Sequence, residues 1–515
     1  MQRPKSTLQN TCGGLNPFCR QGAMLCVLLL AASFGLHAGE SDASSVKNST
    51  AERPNILLIT ADDLGFQLGC YGDKVATTPN LDRLAQEGVR FATAYVTSAS
   101  CSPSRASLLT GLYPHQNNQL GLAHLGYSMW PGLPNLPGLL KKQGYRTGII
   151  GKLHVEPEGD FPFDYKKLDI APTRDKAKVS SMCETFLSES DSRPFFLYLN
   201  LFDPHHPFLR DVNGSPKMKI NPDQITDFPF IGDHSPKFKQ NTADYYTCVN
   251  RLDEIMGVVM ESLQNHGLDP TTIVIFISDN GPPFPRAKCT MFEAGTHIPM
   301  IARWTGHIKP GVCEQMVNEI DILPTFLDLV AATPPVGLQG RSLMPLLNSQ
   351  SVAWREQMAT EYNSHEPRMI NPQRALREGR YKLIKTLLSD PAFVWPESLT
   401  LEKYRKNQPI AGTGEFMELY DLQNDPYEFK NLAGTEGQKA TQERLAKALE
   451  EWRQETKDPL LDPAGLRAFV LSGKDALPTD VILEELMKKQ EEARKAGREV
   501  PNTVTPEELD NLHKP

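Results

Sequence analysis

Cys101-Ser102-Pro103-Ser104-Arg105, running on into Ala106-Ser107-Leu108-Leu109-Thr110-Gly111, sets a thiol and an arginine close together in one short window. The segment lacks apolar alternation and closes on Thr-Gly, the pattern of a loop feeding a short helix. Pro103 fixes φ and removes a donor, and Ser104 carries an N-cap side chain. A cysteine at a helix N-terminus beside an arginine sits where an anion is held and where a thiol becomes reactive. A buried cysteine before an ordinary capped helix gives the same local pattern. The rest of the chain has to decide between them.

Two acidic pairs bear on that decision. Asp62-Asp63 follows the apolar run Asn55 to Thr60, and Asp279-Asn280-Gly281 follows Ile273 to Ile277. In open α/β sheets the carboxyl ends of strands form the ligand crevice, so the two pairs should converge there. Four oxygen-bearing side chains with no histidine or thiolate beside them suit Ca2+, or alternatively Mg2+. Taken singly, Asp-Asp reads as a helix cap and Asp-Asn-Gly as a turn. Together, at the ends of buried strands, they read as a site. Lys152 and His154 follow a third such run, His205 follows a fourth, and Lys288 lies shortly beyond Asp279. Carboxylates for a cation, with lysines and histidines for an oxyanion, are what a sulfate or phosphate on a metal requires.

The elements that must carry these residues are legible as alternation. Asn55–Thr60, Thr147–Gly151, Phe195–Leu199 and Ile273–Ile277 are continuous β-rich runs, as strands buried on both faces should be. Amphipathic segments lie between them, including Leu81–Gly88 and Ala243–Gln264. The expected fold is therefore α/β, a large, mostly parallel, doubly wound sheet with helices on both faces, over residues 53–345. Beyond it, Arg377–Arg380 reads as a hairpin turn before the strand Tyr381–Ile384, Glu418–Asp421 as another strand, and Arg444–Glu455 as a helix. That predicts a smaller α+β subdomain with an antiparallel sheet over 346–460. Residues 461–515 read as a charged C-terminal appendage with one helix near Val481–Lys495.

Arg3, Lys5 and Arg20 precede the apolar run Met24 to Leu36, which ends near Ala38 and Gly39. Residues 1–39 are thus expected to be a signal peptide, and 40–52 a polar linker. The apolar run is too short to cross a bilayer of roughly 30 Å. Export without a membrane anchor in the mature chain follows, to a periplasm, the medium or a lysosome. A hydrophobic content of 40% with 23% charged residues fits a globular protein, and a net charge of −8 argues against nucleic acid. Behind the leader, Cys70, Cys101, Cys183, Cys248, Cys289 and Cys313 are scattered with no zinc spacing and no disulfide framework.

The set Asp-Asp, C-x-P-S-R, Gly-Lys-x-His, Asp-Pro-His and Ser-Asp-Asn-Gly resembles the sulfatase branch of the alkaline-phosphatase-like superfamily, over Arg53 to Gly311. The resemblance implies that Cys101 is oxidised to formylglycine by a formylglycine-generating or sulfatase-maturing enzyme. It implies that Asp62, Asp63, Asp279 and Asn280, with the modified Cys101, ligate the cation. It implies that Arg105 binds the formylglycine hydrate, Lys152 and Lys288 the sulfate oxygens, that His154 is the base and His205 the acid. Within the family the chain is most similar to the N-sulfoglucosamine sulfohydrolase, or heparan sulfamidase, branch. That similarity rests on Ser100–Gly111 with His115-Gln116-Asn117, Arg146–Lys152, Arg193–Tyr198 and Ser278–Gly281 with Pro283–Pro285, and it extends to His365-Glu366 and Glu418–Ala433. It implies a sulfated saccharide substrate, with His365 and Glu366 as sugar contacts. The chain departs from that branch with Lys288 in place of arginine, Leu153 in place of lysine, a divergent loop from His206 to Phe238 and a longer tail. An O-sulfatase on another sulfated polysaccharide or aryl sulfate, a phosphoryl or phosphonate hydrolase, and a non-enzymatic glycan-binding protein are the alternatives.

Overall fold

A computed structural model describes residues 53–189, 191–232, 236–367, 369–387, 416–474 and 479–496. The expected leader, the linker and the last residues of the tail lie outside these. In chain order the elements used below are β1 Asn55–Asp62, α1 Pro79–Gln86, β2 Val89–Tyr95, α2 Cys101–Thr110, α3 Leu136–Lys142, β3 Arg146–Ile150, β4 Tyr165–Lys167 and α4 Lys176–Leu187. They continue with β5 Phe195–Pro204, α5 Pro236–Asn265, β6 Thr272–Ser278, β7 His297–Arg303, β8 Gly311–Cys313, β9 Val317–Asn318 and α6 Ile322–Leu329. The second layer holds β10 Gln357–Ser364, β11 Ile370–Glu378, β12 Tyr381–Thr386, β13 Phe416–Asp421 and α7 Lys439–Glu455, followed by α8 Pro463–Lys474 and α9 Thr479–Lys495.

The large sheet has nine strands in the order β4-β3-β5-β1-β6-β7-β2-β8, with β9 also on β2. Among the described strands β7 alone runs against the others, pairing antiparallel with β6 and β2. The continuous apolar runs are explained by burial on both faces. Along β1, Ile56 and Leu58 pack into one cluster with α2, α3 and α6 residues. Leu57, Ile59 and Ala61 pack into another with α1, α4 and α5 residues. Each fully buried leucine or isoleucine contributes about 1.5–3 kcal/mol over leaving it in water. Because β3, β5, β1 and β6 are parallel, with Ile150 opposite Leu199 and Ala61 opposite Ser278, their carboxyl ends share one sheet edge. That edge is where the candidate residues stand.

Two local expectations shift. The helix that carries Cys101 does not start at Ser104: Ser100 is the N-cap and Cys101 the first helical residue. Pro103 is accommodated because the first-turn N–H groups of a helix have no intrahelical acceptor, so its missing donor costs nothing there. α5 also starts seven residues before the expected Ala243.

The second sheet is antiparallel in the order β10-β11-β12-β13. Leu445 and Leu449 of α7 cover one face, and Tyr362, Ala375, Ile384 and Tyr420 pack the other against Met291. Glu293 joins the two sheets, accepting from Tyr95 Oη at 2.7 Å, Arg377 Nη1 at 2.9 Å and Lys382 Nζ at 3.0 Å. In the region read as an appendage, α9 buries Ile482 and Leu486. The six described cysteines are all free thiols, and no described helix is long and apolar enough to cross a membrane.

Candidate active site

The two acidic pairs meet. Asp63 N–H donates to Asp279 Oδ1 at 3.0 Å, and Asn280 Nδ2 to Asp63 Oδ1 at 2.8 Å. All four side chains are buried. The turns that aim them are sterically exacting. Asp63 sits at φ 67°, a region aspartate tolerates better than most residues. A Cβ on Gly281 would lie 1.8 Å from the Ala294 carbonyl oxygen, and one on Gly151 would lie 2.1 Å from that of Asn200. Gly281→Ala is therefore expected to push Asp279 and Asn280 off the sheet edge, costing about 2–4 kcal/mol as a severe steric mutation. Thermal denaturation and catalytic assay of the variant together check this; a stable, active variant would show that the turn yields freely.

Around the carboxylates lie the cations. Arg105 donates through Nε to Asp279 Oδ2 at 3.0 Å and through Nη1 to Asn200 Oδ1 at 2.6 Å and the Lys152 carbonyl at 3.0 Å. Lys152 Nζ donates to Asp62 Oδ2 at 2.7 Å. Lys288 Nζ lies 2.6 Å from Asp63 Oδ1 and 3.1 Å from Cys101 Sγ. His205 Nε2 is 3.7 Å from Asp63 Oδ2. Ligand atoms of Asp62, Asp63, Cys101 and His205 also lie within 4.8 Å of one another, so a thiol and an imidazole stand beside the oxygen donors. Asp63 Oδ2 and Asn280 Oδ1 are buried with no hydrogen-bond partner, which fits a cation held between the pairs.

The electrostatics follow from burial against these neighbours. Burial alone would raise the Asp62 carboxyl, but Lys152, His205, Arg105 and Lys288 outweigh it and hold Asp62 below the usual range. Asp279 goes the other way, up to about 7, through burial and the adjacent Asp62 charge. Burial pushes the Cys101 thiol up to about 12 despite Lys152 and Lys288. The unmodified sulfur is therefore a neutral thiol at pH 7, not an activated thiolate. Burial and the nearby lysines hold His154 well down, and burial brings His205 to about 4, so both rings are neutral without a ligand.

Two further groups, His124 and Glu319, were not singled out from the sequence. His124 Nδ1 lies 2.6 Å from His154 Nε2, on a one-turn helix, Ala123–Leu125, that has no periodic signal. Ser100 Oγ lies 2.9 Å from Nδ1 of His365, which brings that candidate to the foot of α2. Glu366 Oε2 accepts from Thr479 Oγ1 at 3.0 Å. Beneath α2, Glu319 accepts from Thr97 N–H and Oγ1, both at 2.7 Å, and from Ser104 Oγ at 2.5 Å. Its only sequence signal is the Asn318–Asp321 capping pattern that surrounds it.

Burial moves the Glu319 carboxyl from 4.5 to about 8, against the pull of Ser104 and Thr97. The folded state thus holds a proton that the unfolded chain releases near pH 4.5. This contribution to stability is complete below that pH and is lost as pH rises to about 8, with a slope of up to about 1.4 kcal/mol per unit. Glu319→Gln is expected to flatten the pH dependence of Tm across that window. A Tm profile identical to wild type would place the ionised carboxylate under α2.

Known proteins resemble this chain over most of its length. The Sulfatase family model matches residues 54–332, and a model of the N-sulphoglucosamine sulphohydrolase C-terminal region matches 286–393. Human N-sulphoglucosamine sulphohydrolase is 33% identical over 79% of this chain and 91% of its own length. The chain belongs to the sulfatase family. This sulfatase is also 30% identical to an ulvan-active sulfatase of Formosa agariphila, over 84% of the chain and 88% of that protein. Human arylsulfatase A is 32% identical over 75% of this chain and 84% of its own. As a sulfatase it is a hydrolase of sulfate esters or sulfamates. In fold it is similar to a protein solved in complex with its substrate D-glucosamine-2-N,6-O-disulfate, with a TM-score of 0.61 and 22% identity over 79% of this chain and 99% of that one. The Agrobacterium radiobacter phosphonate monoester hydrolase shares the fold too, with a TM-score of 0.62 and 21% identity over 78% of this chain and 96% of that one.

Proposed function

We propose that this sulfatase removes the N-sulfate of a glucosamine unit, using formylglycine made from Cys101 and one divalent cation, Ca2+ or Mg2+. The observation that carries the substrate is the match to the N-sulphoglucosamine sulphohydrolase C-terminal model over residues 286–393. That stretch includes Lys288, His365 and Glu366 and runs through β10 to β12. A full-length relative of the same name supports it.

Asp62, Asp63, Asp279 and Asn280, with the modified Cys101, would hold the cation, which would supply positive charge to polarise bound oxygens. Formylglycine supplies, as its hydrate, two hydroxyls on one carbon, one to attack sulfur and one to expel sulfate. Lys152 and Lys288 would neutralise sulfate oxygens, a role supported by their reach to Asp62 and Cys101. His154, neutral and buried, suits a base that takes the second hydroxyl's proton. His205 is partly open to solvent, with 26% of its side chain exposed. An anionic substrate beside it would raise its pKa toward the charged form that a leaving-group acid needs. Arg105 bonds Asp279 and Asn200, so it orients the acidic wall of the site.

The ulvan-active relative supports one other substrate, a sulfated polysaccharide such as ulvan, in place of the N-sulfated sugar. Sulfate release by the matured protein from glucosamine N-sulfate, from 6-O-sulfated glucosamine and from 4-nitrocatechol sulfate, with and without chelator, tests the proposal. Release from the N-sulfate, abolished by chelator and restored by Ca2+ or Mg2+, is the expected result. No release from N-sulfate alongside release from an O-sulfate would overturn the substrate and leave the family intact.

A further inference from the structure

α9 lies beside the nucleophile, yet the reaction above makes no use of it. Its buried residues Ile482, Leu486 and Ala493 fall on one helix face. Ile482 and Leu486, 2% and 7% exposed, share an apolar cluster with Leu122, Leu125 and Cys101. Leu122 and Leu125 flank His124, which is hydrogen-bonded to His154. At the start of the helix, Thr479 holds Glu366. The preceding His365 reaches Ser100, the N-cap of α2, and its carbonyl accepts the Leu122 N–H at 3.0 Å. One helix therefore contacts both segments, the one whose His124 meets His154 and the one whose His365 meets Ser100.

We infer that α9 is a positioning brace that sets saccharide selectivity, clamping segments 122–125 and 365–366 at the site through Ile482, Leu486 and Thr479. It rests on the sulfatase reading of the same site. The physical basis is reach. A small aryl sulfate needs only the anion-binding groups around residue 101, whereas a sugar must also meet the side chains these segments present. Losing the brace lets the segments move, so binding energy from the sugar is lost while the chemistry at sulfur is kept.

The experiment uses matured full-length protein and the variants Ile482→Ala with Leu486→Ala, Thr479→Val and the conservative Leu486→Met. Kinetics on glucosamine N-sulfate and on 4-nitrocatechol sulfate are compared, and amide hydrogen exchange is followed over residues 121–127. The double alanine variant is expected to raise KM for the sugar by about tenfold or more, with aryl sulfate turnover kept within about twofold. Thr479→Val should give a smaller rise, Leu486→Met should behave as wild type, and exchange at 121–127 should speed up in the double variant. Equal losses on both substrates with a lowered Tm would reduce α9 to a structural prop and overturn the inference. Unchanged sugar KM would do so too, and so would unchanged exchange. Exchange is read without turnover, so it separates this inference from the sulfatase reading, which falls only if the wild type releases no sulfate from any substrate.

Discussion

Cys101→Ser is expected to fold, to release at most one equivalent of the leaving group, and then to stop. Serine offers one hydroxyl where a formylglycine hydrate offers two. After attack on sulfur, the carbon at 101 would have no second oxygen whose deprotonation by His154 expels sulfate. The covalent sulfate would remain, and steady-state turnover should fall by about 10^3-fold or more, as when a nucleophile acting in concert with its partners is removed. Intact-protein mass spectrometry after substrate addition should show one added sulfuryl group on the peptide containing residue 101. Turnover near the wild-type rate would remove formylglycine from the mechanism. Unmodified cysteine is no substitute, because burial holds its thiol at about 12.

Arg105→Ala should be the most damaging change to the fold among the site residues. The guanidinium is fully buried, pairs with Asp279 and Asp62, and holds Asn200 and the Lys152 carbonyl. Removing it leaves Asp279 facing burial and the Asp62 charge without its main offset, so Asp279 would keep its proton across neutral pH and lose its charge for the cation. Breaking one partner of a buried pair costs about 3–5 kcal/mol. Chemical denaturation should show a lower midpoint at unchanged m-value, together with loss of sulfate release. Arg105→Lys should recover part of the stability, because the charge returns without the planar fork. A loss below about 1 kcal/mol in Arg105→Ala would mean the two aspartates do not depend on it.

Much of this site was legible because the parallel sheet makes it so. β1, β3, β5 and β6 are apolar on both faces and announce themselves without alternation, and the residues directly after them inherit a common edge. The strands that were not read have physical reasons. β7 carries Pro299 and begins at a histidine, and β10 is Gln-Met-Ala-Thr-Glu-Tyr-Asn-Ser, in which Glu361 is buried against His115 and Arg374 and Asn363 against Arg374. His124 and Glu319 were invisible for a related reason. Each acts through a partner distant in sequence, His154 and Ser104 respectively, and neither lies on a periodic element. The early start of α2 was hidden by Pro103, which reads as a breaker until its place in the first turn is known.

Cys101 is 2% exposed, built into the first turn of α2 and backed by the same apolar cluster as the chain's last described helix. Another protein cannot reach a sulfur placed there. Under the proposed mechanism, then, conversion of this residue belongs to a period of the chain's life before the fold closes, while the segment is still an extended peptide. On that mechanism activity would be decided by the order of two events, and protein that folds first would stay inert however much maturing enzyme it met afterwards.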